Sequence, residues 1–124
     1  MLQLTTINKE SLVFCYENEE NPNVLFCADS DLSFTTTKLN LKNNSIVTAP
    51  HHGSNDNNAA YSNILGKDLM FVRSDRSQSK RPGAGYMAQN EKYCTICRKM
   101  GPKKEVVIKY TNNGIIKPQN KCNC

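Results

Sequence analysis

A chain of 124 residues, 38% hydrophobic and 22% charged, is long enough for one small domain or one half of a larger one, and its composition is that of a soluble globular protein. No apolar run approaches the roughly 20 residues of a membrane span, and Met1-Leu2-Gln3-Leu4-Thr5-Thr6 lacks the start of a secretory signal, so the expectation is a cytoplasmic chain without a membrane partner. The net charge of +5 is uneven: residues 1–79 hold six Lys/Arg against nine Asp/Glu, and residues 80–124 hold ten against two, a basic tail that suits either a solvated surface or a phosphate-rich partner.

In chain order, Ser11-Leu12-Val13-Phe14-Cys15-Tyr16 and Val24-Leu25-Phe26-Cys27-Ala28 are runs of strand formers separated by a polar turn, and they predict an antiparallel hairpin. Both runs are continuous rather than alternating, which suits strands covered on both faces. Cys15 and Cys27 lie inside them and read as small buried hydrophobes. Leu32 to Leu41 predicts a short helix or irregular turn. Ser45 to Ala49 predicts a third strand, which Pro50 ends because it has no N–H to donate to a ladder.

Ser54 or Asn55 is placed to cap a helix through about Leu65, with Gly66 ending it. Leu69 to Val72 predicts a fourth strand, Arg73 to Gly85 a polar loop broken by Pro82-Gly83, and Tyr86 to Arg98 a helix. Glu105 to Tyr110 and Ile115-Ile116 predict a hairpin around Asn112-Asn113-Gly114, where Asn-Gly favours a type I′ turn.

Chemistry-bearing residues sit where strands are expected to end. Asp29 follows Val24-Leu25-Phe26-Cys27-Ala28, and His51 and His52 follow Ile46-Val47-Thr48-Ala49-Pro50. Adjacent strands bring such residues together while the loops remain open to a ligand. Carboxylate and imidazole are good ligands for zinc, manganese or iron. Taken alone, paired histidines after a proline also fit an exposed turn, and Asp29 also fits a cap on the next segment.

The order Asn8, Ser11-Leu12-Val13, a strand ending in Asp29, and a strand ending in His51-His52-Gly53-Ser54 resembles metallo-β-lactamase-fold hydrolases. The nearest branch is the hydrolase domain of bacterial DNA-uptake competence proteins. The resemblance covers roughly residues 4–90, and Leu69-Met70-Phe71-Val72-Arg73-Ser74 fits the strand that follows in that branch.

It implies an α/β fold, the C-terminal half of an αββα sandwich with mixed or antiparallel strands. Residues 1–90 would form this half, and residues 91–124 a basic, cysteine-containing tail with a hairpin. Asp29 would be the metal ligand, with Asp31 as its alternative. One of His51 and His52 would also bind metal, with His52 favoured and His51 placed beside the scissile group. The implied activity is phosphoester-type hydrolysis by a hydroxide on zinc or manganese. Ser54 would contact a phosphate-containing substrate; Arg73, Arg76 and Arg81, in the region where the family has a His-Pro segment, either hold an anionic group or are loop-surface charges.

The family's N-terminal His-x-His-x-Asp-His motif has no counterpart here, since His51 and His52 are the chain's two histidines. The chain alone is therefore expected to be an inactive half-site: a fragment, a subunit whose other half is another polypeptide, or a site that has decayed. The family's His-Pro segment is replaced by Arg81-Pro82-Gly83. Cys94-Thr95-Ile96-Cys97 and Cys122-Asn123-Cys124 offer four thiolates for a structural zinc, although unligated thiols or a redox role fit the same spacing. The alternative to a hydrolase is a non-catalytic binding or regulatory module stapled by that zinc.

Overall fold

The computed structural model describes residues 12–75, 82–96 and 105–123. It is a mixed α/β arrangement of short elements. In chain order these are β1 (Phe14–Tyr16), β2 (Val24–Phe26), β3 (Leu39–Asn40), β4 (Ile46–Thr48), a 3-10 turn (Pro50–Gly53), a 3-10 run (Asn55–Asn63), β5 (Ile64–Leu65), β6 (Met70–Arg73), α1 (Ala84–Met87), β7 (Glu91–Cys94), β8 (Lys109–Thr111) and β9 (Gly114–Ile116). Among the described residues no helix is long and apolar enough to cross a membrane.

The main sheet has five strands in the order β1-β2-β4-β6-β7. β1 and β2 form the expected antiparallel hairpin, with Phe14 opposite Phe26 and Tyr16 opposite Val24. The other neighbours are parallel, and their register aligns Leu25, Val47 and Phe71 in one row across the sheet. All three are buried, and with Leu32, Ala60, Ile64 and Tyr86 they belong to one core cluster. The parallel pairing of β2, β4 and β6 brings their C-terminal ends to one edge of the sheet, a common rim where Asp29, His51, His52 and Arg73 stand.

Several expectations change. β1 is an edge strand, and its three residues are all exposed rather than covered. Cys15 is therefore exposed, whereas Cys27 is buried as expected. Phe14 stacks on Phe26 at 4.4 Å between ring centroids and still leaves about half its surface open, at 50%.

The helix expected over Tyr86–Arg98 is instead the single turn α1 followed by β7, which pairs in parallel with β6 from Met70–Glu91 to Arg73–Cys94. Tyr86 and Tyr93 are both buried, and the Tyr86 hydroxyl donates to the Tyr93 carbonyl at 2.8 Å. Ladder pairing and burial of Tyr93 and Cys94 override the local helix preference. β7 begins where the tail was expected to begin, and it is the fifth strand of the main sheet.

The segment after Ser54 is a 3-10 run ending at Asn63, not an α-helix through Leu65. Ile64 and Leu65 leave it to pair with Leu39 and Asn40. In the C-terminal hairpin Thr111 pairs with Gly114, leaving Asn112-Asn113 as the loop. The left-handed residue is Gly114, at φ +119°, and neither asparagine has a positive φ, so the expected type I′ Asn-Gly turn does not form.

Candidate functional site

The rim is shaped by left-handed backbone. Ala28 has φ 46°, His51 φ 45°, His52 φ 54° and Gly53 φ 78°. Such conformations cost a non-glycine residue on the order of 1 kcal/mol each and persist where surrounding bonds impose them. Here the bonds are identifiable. Ser30 N–H closes a turn onto the Cys27 carbonyl at 3.1 Å, and His51 N–H donates to the Ala28 carbonyl at 2.8 Å. The end of β2 is thereby tied to the segment after β4, and the Asp29 side chain stands beside His52.

The side chains are held from behind. The main-chain oxygen of Asp29 accepts from Asn57 Nδ2 at 3.2 Å. That orientation turns Asn57 Oδ1 toward His51 Nδ1, 3.1 Å away. An amide oxygen can only accept, so the neutral His51 ring carries its proton on Nδ1 and leaves Nε2 as the lone pair. His52 repeats the device with a different partner. Its Nδ1 donates to the Ser74 carbonyl at 2.6 Å, and its Nε2 stands 4.0 Å from Asp29 Oδ1. Both of the latter side chains are open to solvent, at 54% for His52 and 46% for Asp29.

Arg73 fixes the backbone beneath them. Expected at the start of a polar loop, it is the last residue of β6, and its side chain is 2% exposed. Its Nε donates to the His52 carbonyl at 2.6 Å and its Nη2 pairs with Asp75 at 3.0 Å. Gly53 packs against Arg73 and Tyr86, where an added Cβ would come within 3.3 Å of each, and the Gly53 carbonyl accepts from Gly83 N–H at 2.7 Å. Ser54 turns its hydroxyl to the Asp56 N–H at 3.3 Å and so caps the 3-10 run.

The structure thus brings Asp29, His51, His52, Ser54 and Arg73 to one rim. Asp31 uses its Oδ1 to accept from Ser33 N–H at 2.9 Å, so Asp29 is the carboxylate that meets His52. Asn57, Asp75 and the Ser74 carbonyl were not singled out from the sequence. Asn57 lies in an asparagine-rich stretch where no local pattern distinguishes it. Arg76, Arg81, Cys97 and Cys124 lie outside the described residues. Comparison with protein-family models, curated proteins and solved structures finds no match to this chain.

Asp29 Oδ1 and His52 Nε2, 4.0 Å apart, are a hard oxygen and an imidazole nitrogen, donor types suited to zinc or manganese. Each histidine also has the second bond that typically orients a metal-binding imidazole, from its remote N–H to an oxygen. Among the described residues no group of three or more His, Cys, Asp or Glu side chains is placed to hold a metal ion. The described residues at this rim thus offer two donors of suitable type, fewer than a metal site needs. Two residues before Asp29, burial pushes the Cys27 thiol up to about 12, with a smaller contribution from Cys15 and an opposing one from the Thr48 hydroxyl. At neutral pH Cys27 is therefore protonated and inert.

Proposed function

We propose that this chain is the C-terminal half of a metallo-β-lactamase-fold hydrolase and supplies one wall of its metal site. The observation that carries the reading is the matched state of the two histidines. Each has Nδ1 committed to an oxygen, so each presents Nε2 as a lone pair on the rim that holds the Asp29 carboxylate. Asp29 and His52 are the metal ligands in this reading, and His51 stands beside the bond to be broken. Bound zinc or manganese would supply Lewis acidity and an activated water. The remaining ligands come from a complementary half, either in the same polypeptide or in a second subunit. The phosphoester substrate class rests on the resemblance and on the basic residues of 80–124, with Arg81 as the proposed anion contact. Arg73 acts as a positioning residue through the His52 carbonyl.

Manganese titration followed by NMR tests the wall directly. Paramagnetic broadening is expected at the His52 and His51 ring signals, and it should be lost in Asp29→Ala. Unbroadened rings at millimolar manganese would refute the reading. Co-expression with a segment bearing His-x-His-x-Asp-His should produce phosphodiesterase activity that His52→Ala removes.

A second reading, a non-catalytic binding or regulatory module, is favoured by the shortage of metal donors among the described residues. It predicts that no such complementation restores activity.

A further inference from the structure

The loop between β1 and β2 is closed by a lysine from a distant part of the chain. Lys42 Nζ donates to the main-chain carbonyls of Asn18 at 2.5 Å, Glu19 at 3.2 Å and Asn21 at 3.3 Å. An ammonium has three donors and no acceptor, so these three oxygens use its full capacity. The main chain of Lys42 is fixed as well. Its N–H donates to Asn23 Oδ1 at 2.9 Å, and its carbonyl accepts from the Ser45 hydroxyl at 2.7 Å. Ser45 Oγ in turn accepts from the Asn23 N–H at 2.8 Å. Asn23 and Ser45 are buried, at 4% and 0% exposure, and they directly precede β2 and β4, so the lysine stands on the frame of the main sheet. Lys42 itself is exposed. Ordering so long a side chain at the surface costs more entropy than one neutral hydrogen bond returns. Three convergent bonds to a full charge reverse that balance.

Carbonyl oxygens turned toward one point are also how proteins hold a dehydrated monovalent cation. We propose a monovalent-cation site in the β1–β2 loop. The main-chain oxygens of Asn18, Glu19 and Asn21 are its ligands, and the Lys42 ammonium is the cation it holds. Potassium or ammonium ion is the class of ligand that takes the place once that charge is removed. Positive charge closes the loop, and the reach of the side chain only delivers it. Glu17 and Glu19 border the cavity beside Lys42 with Asn23 and Asn40, and their carboxylates favour a cation there. Calcium is a poorer fit, because it takes about 6–8 oxygens, carboxylates among them, and these three ligands are neutral. The loop precedes β2 and the rim follows it, so this site is independent of the Asp29–His52 reading.

Two NMR measurements test this. In the unaltered chain, the Lys42 ammonium protons should exchange with water more slowly than those of exposed Lys38, by roughly an order of magnitude. Through-hydrogen-bond couplings should join Lys42 Nζ to the carbonyl carbons of Asn18, Glu19 and Asn21. The second measurement uses Lys42→Met, a neutral side chain of similar length. The probe is the Glu20 amide, which donates to Asn18 Oδ1 within the loop. In choline chloride its hydrogen exchange should accelerate, and potassium or ammonium chloride at the same ionic strength should restore protection. The unaltered chain should not distinguish these salts. The inference is overturned by Lys42 protons that exchange as fast as those of Lys38. It is also overturned by a Lys42→Met loop that stays protected in choline, or by one that potassium and ammonium fail to close. The first measurement decides alone if the variant does not fold.

Discussion

The side-chain amide of Asn57 bridges the imidazole of His51 and the main chain at Asp29, accepting from the ring at 3.1 Å and donating to the carbonyl at 3.2 Å. Asn57 is buried and has a non-helical φ of −109° inside the 3-10 run, so the run kinks at the residue whose side chain serves the rim. Replacing it with leucine should free the His51 ring. In the unaltered chain, long-range proton–nitrogen NMR should show both histidines with the proton on Nδ1. In Asn57→Leu, His51 should shift toward the Nε2–H form while His52 keeps its form. Loss of the two bonds should cost about 1–3 kcal/mol of stability. An unchanged His51 tautomer would contradict the bridge.

Gly53 and Gly83 should respond differently to alanine. A Cβ at Gly83 would lie 2.5 Å from Asn55 Cα and 2.7 Å from its nitrogen, and backbone cannot yield there. At Gly53 the nearest atoms belong to the side chains of Arg73 and Tyr86 at 3.3 Å, and the residue is left-handed at φ 78°. Denaturant unfolding should place Gly83→Ala at about 1–3 kcal/mol of destabilisation. Gly53→Ala should cost about 1 kcal/mol through its backbone, with shifted His52 ring signals because Arg73 holds the His52 carbonyl.

Acid should loosen the tail before the core. Burial alone would raise the Glu91 carboxyl, but hydrogen bonds from Lys121 and Tyr93 and the charges of Lys117 and Lys121 outweigh it and hold the group below its ordinary value. A carboxyl depressed in the folded state adds stability that is fully present above its unfolded value, near 4.3, and is lost as pH falls through the folded value. Stability should therefore decline from about pH 5 downward, and Glu91→Gln should flatten the decline. With Lys121 53% exposed, solvent limits the effect to about 0.5–1 kcal/mol. An acid limb equally steep in Glu91→Gln would exclude this origin.

Two cysteines, Cys15 in β1 and Cys27 just beyond the end of β2, should react at very different rates. Cys15 is exposed on edge strand β1, whereas Cys27 is buried with its thiol near 12. Burial, and then the charge of Glu17, also raise the Cys15 thiol, so its labelling should accelerate with alkaline pH. Peptide mapping after iodoacetamide treatment of the folded chain should find Cys15 modified and Cys27 intact, with both modified after unfolding. Early modification of Cys27 would show that the core around it opens.

The sequence by itself determined the elements whose signals are local. Continuous apolar runs marked β1, β2, β4 and β6, and Pro50 marked the end of β4. The same runs placed Asp29, His51 and His52 just beyond strand ends, because a strand stops where its apolar run stops. Only the tertiary structure decided what depends on distant partners. Tyr86 to Cys94 has a local pattern compatible with a helix, and pairing with β6 makes its second half a strand. Cys15 lies in as apolar a run as Cys27, and its place on the outermost strand leaves it exposed. Arg73 reads as a loop charge until burial beneath the His52 carbonyl makes it a support. The roles of the two imidazoles belong to the same class: which nitrogen faces the rim is set by Asn57 and by the Ser74 carbonyl, 6 and 22 positions along the chain from the histidines they hold.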